Sequence, residues 1–166
     1  MSQPIRMHTC AVLTISTRGA EGRRQDTSGP IAKQLAEEAG FAVVKSDLVP
    51  DDLNAIVDLL MGWCDREKVD LILTTGGTGF AQSDVTPEAT RRILQREASG
   101  IAEAMRAGSV AKTPMAMLSR GIAGTRGGSL IVNLPGSPKA VRECLEIILP
   151  VLHHAVSLLR GEPDDH

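Results

Sequence analysis

Aromatic residues are nearly missing from this 166-residue chain, which has Phe41, Phe80, Trp63 and no tyrosine. Single-stranded nucleic acids are gripped by stacking bases on aromatic side chains, so that class of function has little support here. Positive charge is not in excess either. With 18 Lys and Arg against 20 Asp and Glu, the formal net charge is −2, which offers no basic face to a nucleic-acid backbone or an anionic membrane. Cysteine is scarce and scattered. Cys10, Cys64 and Cys144 form no CxxC pair and no Cys/His cluster, so neither a disulfide framework nor a zinc site is indicated, and they read as small apolar residues in a reducing compartment. Residues Met1–Thr9 lack a basic stretch followed by an apolar one, and no apolar run reaches membrane-spanning length. A cytoplasmic protein without a secretory leader or membrane partner is expected.

What is present is an ordinary soluble composition, 42% hydrophobic and 23% charged, enough for one domain over residues 1–166. Apolar, β-branched runs at His8–Ser16, Phe41–Val49 and Val69–Thr75 read as strands, and the last is continuous enough to be covered on both faces. Between them lie a polar loop at 17–27, a helix opened by Ser28-Gly29-Pro30 and stopped by Gly40, and a helix beginning at Pro50-Asp51-Asp52. Further on come a helix opened by Pro87 and a helical segment near Ile101–Lys112. Short runs at Met115–Ala123 and Ser129–Leu134 follow, joined by a Gly127-Gly128 turn as an antiparallel hairpin. A last helix begins at Pro138, is broken or kinked near Pro150, and ends around Arg160 before an acidic tail. The alternation predicts an α/β fold of three layers: an open, mostly parallel sheet flanked by helices, with a short hairpin in the C-terminal third.

In such folds ligands sit beyond the carboxyl ends of the strands. The most informative loop there is Thr74-Thr75-Gly76-Gly77-Thr78-Gly79. Its glycines let backbone N–H groups approach an anion, and Thr75 and Thr78 add hydroxyl donors. No Gly-Lys-Ser/Thr follows, so it is not a Walker loop, and Gln82 spoils a dinucleotide fingerprint. A tight strand-to-loop turn is the plainer alternative. In Asp84-Val85-Thr86-Pro87-Glu88, Thr86 suits a helix N-cap, Pro87 the first helical position and Glu88 the first turn. Asp84 is left over. An acid beside an anion cradle is costly unless it holds a cation, and Mg²⁺ is commonly bound by one or two carboxylates plus phosphates. Asp51 ends the second strand on the same sheet edge, although Asp51 or Asp52 could instead cap the next helix. Pro135, Gly136 and Ser137 leave another strand for a helix N-terminus, serving as a cap or an anion site. His153 and His154 lie in an apolar helix and His166 is terminal, so no histidine joins a catalytic constellation, and no Ser/His/Asp set is visible. The residues therefore indicate a phosphate-bearing ligand, Mg²⁺ and two aspartates.

These segments, TTGGTGF (74–80), DVTPEA (84–89), VPDD (49–52), AMLSRGIAG (116–124) and LIVNLPGSPKAV (130–141), resemble the molybdopterin adenylyltransferases of the Mog/MoaB type. They are similar also to the G domains of gephyrin and plant Cnx proteins. The likeness runs from about residue 10 to 160. It implies a homotrimer that binds molybdopterin and Mg-ATP and transfers AMP to the terminal phosphate of molybdopterin. It also implies later hand-over to a molybdate-inserting enzyme. By motif position, Asp51 and Asp84 match the family's essential, Mg²⁺-binding carboxylates. Thr75, Gly76, Gly77, Thr78 and Gly79 match the phosphate and pterin loop, Ser119 matches a molybdopterin-site serine, and Pro135, Gly136 and Ser137 line the pocket. Ser16, Asp26, Ser28, Gly29 and Glu88 are expected on the ATP side or rim. Gln82-Ser83 departs from relatives that carry a basic residue there. The alternative is a family member that binds molybdopterin without adenylylating it, as a carrier or scaffold.

Overall fold

The computed structural model describes residues 6–163. Most of Met1–Thr9, the end of the acidic tail and His166 therefore lie outside the described residues or at their margin. Strands β1 (Thr9–Ile15), β2 (Ala42–Val49), β3 (Leu71–Thr75), β4 (Arg96–Glu97), β5 (Ala123–Arg126) and β6 (Ser129–Leu134) form one six-stranded sheet in the order β2-β1-β3-β6-β5-β4. The first four in that order run parallel, and β5 and β4 add antiparallel edges. The expected α/β class, mostly parallel sheet and hairpin are all present, with Gly127 at φ 54° in the hairpin turn.

Period-two alternation divides the strand side chains between two cores. Cys10, Val12, Leu71, Leu73, Leu130 and Val132 face one way and pack under α2 (Ser28–Glu38), α5 (Ser99–Val110) and α6 (Pro138–Leu159). Ala11, Leu13, Ile15, Ile72 and Ile131 face the other way, under α3 (Leu53–Asp65) and α4 (Thr86–Ile93). Every residue of β3 is buried, as its unbroken apolar run requires of a strand covered on both faces.

Five local features differ from what the sequence pattern leads one to expect. Residues 17–27 are not all loop, because Thr17–Ala20 forms a single helical turn, α1, capped by the Ser16 hydroxyl, which accepts the Gly19 N–H at 3.0 Å. Two short stretches escape the apolar pattern: β4 is exposed at both residues, and Pro114–Leu118 is a 3-10 turn rather than strand. The cap of α4 is Val85, not Thr86, whose hydroxyl is drawn instead to the Gly76 carbonyl. Helix α6 runs unbroken through Pro150 for 22 residues. Proline there forfeits a backbone hydrogen bond, but Leu145 and Ile148 before it and Leu152 and Val156 after it are all buried in one core, and that burial outweighs the lost bond.

At the edge away from the strand carboxyl ends, chain termini are stitched together. Phe41 stacks on His153 with ring centroids 3.9 Å apart and planes 6° apart. His8 stands 2.9 Å from His153 and 3.2 Å from Glu162, and the His153 Nε2 lies 2.7 Å from the Ala39 carbonyl. These histidines are structural groups at the floor of the sheet. Among the described residues no helix is long and apolar enough to cross a membrane.

All three cysteines are free and buried. Desolvation raises each thiol pKa, that of Cys64 to about 11, so the thiolate needed for reaction is scarce. Ellman's reagent at about pH 8 should leave native protein unlabelled and titrate all three only in denaturant. Three carboxyls are held below their ordinary range: Asp65 chiefly by the Arg126 hydrogen bonds, Glu88 by Arg120 and Glu162 by His8. A carboxyl with a depressed folded pKa stabilises the fold above its unfolded pKa and loses that contribution as pH falls through the folded value. The melting temperature should thus drop as pH falls below the ordinary carboxylate range, and Arg126→Gln should flatten that slope.

Candidate active site

The chain enters at β1, adds β2 on one side, then crosses to place β3 on the other. This reversal opens a crevice at the strand carboxyl ends. Two cavities meet there. One of ≈590 Å³ is polar, bordered by the ends of all four parallel strands at Ser16, Asp51, Thr75-Gly76 and Gly136. The other, of ≈450 Å³, has a more apolar wall that includes Ala102, Met105, Leu118 and Pro135, with Ser119 and Thr78 beside them. Gly77, Asp84, Gly136 and Ser137 belong to both. They form the partition between the two spaces.

The glycine loop is shaped by crowding. Gly76 has φ +95° and Gly77 +68°, and a Cβ on Gly76 would fall on the Ile15 carbonyl oxygen. One on Gly77 would strike the Thr86 hydroxyl and come within 3.3 Å of Asp51 Oδ1. Thr86 fastens the loop from behind: its hydroxyl donates to the Gly76 carbonyl at 2.9 Å and its N–H to the Gly77 carbonyl at 3.1 Å. The Thr75 hydroxyl, expected to face a ligand, donates to the Pro135 carbonyl at 2.7 Å. It holds the Pro135-Gly136-Ser137 loop in place, and Ser28 does the same by donating to the Gly136 carbonyl.

The two aspartates are held by different means. Asp52 caps α3 by accepting the Ala55 N–H at 2.8 Å, which settles the open question of the cap and leaves Asp51 for other work. Asp51 Oδ2 accepts the Thr17 N–H at 3.0 Å and its hydroxyl at 2.8 Å. Oδ1, the oxygen near Gly77, has no hydrogen bond among the described residues. Asp84 Oδ2 accepts the Ala81 N–H at 3.0 Å and would be 2.9 Å from a Cβ on Gly79. Both carboxylates therefore address the same glycine loop and line the same polar cavity. Among the described residues no group of three His, Cys, Asp or Glu could hold a metal. The donor set fits Mg²⁺ that takes one or two carboxylates and completes its shell with substrate oxygens and water.

Of the remaining expected residues, Asp26 and Ser28 border the polar cavity, and Asp26 Oδ1 accepts the Gly29 N–H at 2.9 Å. Ser137 caps α6, placing that helix's positive end at the partition. Gly29 and Glu88 line neither cavity; Gly29 packs beneath Asp26 and Thr14, and Glu88 pairs with Arg120. Several residues here escaped the sequence reading. Thr17 orients Asp51, and Arg18, Arg23 and Arg24 border the polar cavity. Arg23 pairs with Glu21, whereas Arg18 and Arg24 have no carboxylate partner among the described residues. These arginines lie in a polar stretch with no motif of its own. Buried Asn133 donates to the Thr74 and Thr90 hydroxyls, each at 2.9 Å, binding β6 to β3 and α4.

Residues 11–154 match the sequence model of a family described as "Probable molybdopterin binding domain". The chain belongs to this molybdopterin-binding family of molybdenum cofactor biosynthesis. Within it, the chain is similar to a molybdopterin adenylyltransferase of Helicobacter pylori, 41% identical over 152 residues covering 90% of this chain and 86% of that protein. It is 48% identical over 153 residues to the Drosophila melanogaster molybdenum cofactor synthesis protein cinnamon, covering 91% of this chain but only 25% of the longer relative. The crystal structure of the molybdopterin biosynthesis enzyme MoaB from Thermus thermophilus superposes with a TM-score of 0.90 at 53% identity, covering 95% of this chain and 99% of that one.

The crowding at the loop of this molybdopterin-binding domain can be tested. Gly76→Ala should lower unfolding free energy by about 2 kcal/mol or more, because it adds both a strained φ and a backbone clash. Gly100→Ala, where a Cβ meets nothing within 4 Å, should leave stability unchanged or slightly raised; chemical denaturation compares the two.

Proposed function

We propose that this protein is a molybdopterin adenylyltransferase, joining AMP from ATP to the terminal phosphate of molybdopterin and releasing pyrophosphate. One observation carries the reading: a polar and a more apolar cavity share a single wall made of Gly77, Asp84, Gly136 and Ser137. Two substrates of unlike chemistry that must exchange a group need adjoining sites with reacting atoms at the boundary. The relatives named molybdopterin adenylyltransferase support the same assignment.

The apolar cavity suits the flat pterin, with its phosphate directed to the Gly77–Gly79 backbone and Ser119. The polar cavity suits ATP, whose triphosphate would meet Arg18, Arg24 and the positive end of α6. An oxygen of the molybdopterin phosphate attacks the α-phosphorus, and the bond from that phosphorus to the bridging oxygen of the β-phosphate breaks. Pyrophosphate carries away the electron pair. Asp51 and Asp84 would hold Mg²⁺, which when bound neutralises triphosphate charge and stabilises the leaving pyrophosphate. The protein's own part is positioning: the Gly loop fixes the nucleophile, Thr17 fixes Asp51, and the arginines fix the leaving group. In the same reading the protein acts in the cytoplasm as a homotrimer and passes its product to a molybdate-inserting enzyme.

Incubation with molybdopterin, Mg²⁺ and α-labelled ATP should yield adenylyl-molybdopterin from the wild type. Asp51→Asn and Asp84→Asn should each lower kcat at least about a hundredfold. Tight molybdopterin binding with no product would overturn the transferase reading in favour of a carrier. Arg18→Gln combined with Arg24→Gln should raise KM for ATP about tenfold while leaving molybdopterin affinity unchanged.

A further inference from the structure

Arg120 borders neither cavity, yet its side chain reaches Asp84 of the shared wall, Gly79 at the rim of the apolar cavity, and Glu88 behind them. Its Nε–H donates to the Gly79 carbonyl at 2.8 Å, one terminal nitrogen donates to the Asp84 carbonyl at 2.9 Å, and the other pairs with the Glu88 carboxylate in the first turn of α4. Its own backbone N–H donates to the Thr78 carbonyl at 2.8 Å. The segment carrying it is fixed from the far side by Arg106, which donates to the Gly121 carbonyl at 2.7 Å.

The turn from Gly79 to Asp84 has little else to hold it. Phe80 at its tip is 69% exposed. Its internal hydrogen bonds close the turn on itself: Ala81 N–H to Asp84 Oδ2, and Asp84 N–H to the Ala81 carbonyl. Among the described residues, its only hydrogen bonds to the rest of the chain are the two from Arg120. We infer that Arg120 is a positioning residue, anchoring this turn so that the Asp84 carboxylate keeps its place against the glycine loop and the Ser119 wall. A surface Arg–Glu pair alone would contribute little, but here the Glu88 carboxylate orients a planar fork whose other donors grip two backbone carbonyls. Lysine has no such fork and cannot serve both.

Anchoring of the turn is a property of the fold, whereas its effect on AMP transfer rests on the adenylyltransferase reading. Arg120→Gln and Arg120→Lys therefore need two readouts, amide hydrogen exchange by NMR and steady-state kinetics. In Arg120→Gln, exchange at Ala81 and Asp84 should quicken about tenfold or more while β3 and β6 amides stay protected. In the same variant kcat should fall about a hundredfold, with KM for molybdopterin changing less than about threefold. Arg120→Lys keeps the charge opposite Glu88 and should still resemble Arg120→Gln in both readouts; it also serves if the glutamine variant fails to fold. Turn exchange within about twofold of wild type in a variant with intact strands would overturn the inference. So would wild-type kcat in a variant of an active enzyme. If the wild type transfers no AMP, the functional reading falls, and the exchange comparison alone decides the role of Arg120.

Discussion

The carbonyl oxygen of Ile15 occupies the space where a side chain on Gly76 would begin. That single steric constraint governs the site. Strand β3 lies beside β1 in parallel register, with Thr14 opposite Thr75, so the chain leaving β3 must pass under the end of β1 with no Cβ in the way. Glycine at positive φ makes the passage at low cost. The turned backbone then presents its carbonyls to Thr86 from behind, which brings α4 and the acid-bearing turn up against the loop. Asp51, at the end of β2, completes the arrangement from the other flank. Few of these contacts survive if β3 ends differently.

In a molecule of net negative charge, features that suit an anion gather at one edge of the sheet by local means. Arg18 and Arg24 border the polar cavity, α6 directs its N-terminus to the partition, and the glycine loop exposes backbone. Some acidic residues elsewhere are occupied: Asp52 caps α3, Asp65 takes a bidentate pair from Arg126 with both bonds at 2.9 Å, and Glu88 orients Arg120. Asp51 and Asp84 differ because each is fastened through one oxygen by neighbouring donors and faces the loop. Fixed carboxylates beside fixed amides need no rearrangement when charge arrives, the condition under which electrostatic stabilisation is most effective.

Legibility in the sequence followed the strength of local signals. Parallel strands such as β3 announced themselves because burial on both faces demands an unbroken apolar run. Helices α2, α3 and α6 showed in their apolar spacing and punctuation. The short α1 turn, the exposed β4 and the 3-10 turn at Pro114–Leu118 did not, since none buries enough apolar surface to impose a period. Pro150 does not break α6, for the opposite reason: its local rule is sound, but tertiary burial along the helix outweighs the lost hydrogen bond. In sequence, a hydroxyl next to a helix start such as that of Thr86 looks the same whether it caps its own helix or reaches another loop.

The sequence by itself determined the α/β class and marked the glycine-rich and acid-bearing loops at the strand ends, because periodicity, glycine clusters and stray acids are properties of neighbouring residues. Only the tertiary structure decided that Asp51 is turned toward Gly77. It alone brought Arg18 and Arg24 to the polar cavity, and it alone gave Arg120 its grip on a turn more than thirty positions earlier. The physical reason is range. A cap or a strand is settled by atoms a few residues apart, whereas a shared wall between two cavities exists only after four strand ends have been brought to one edge of a sheet.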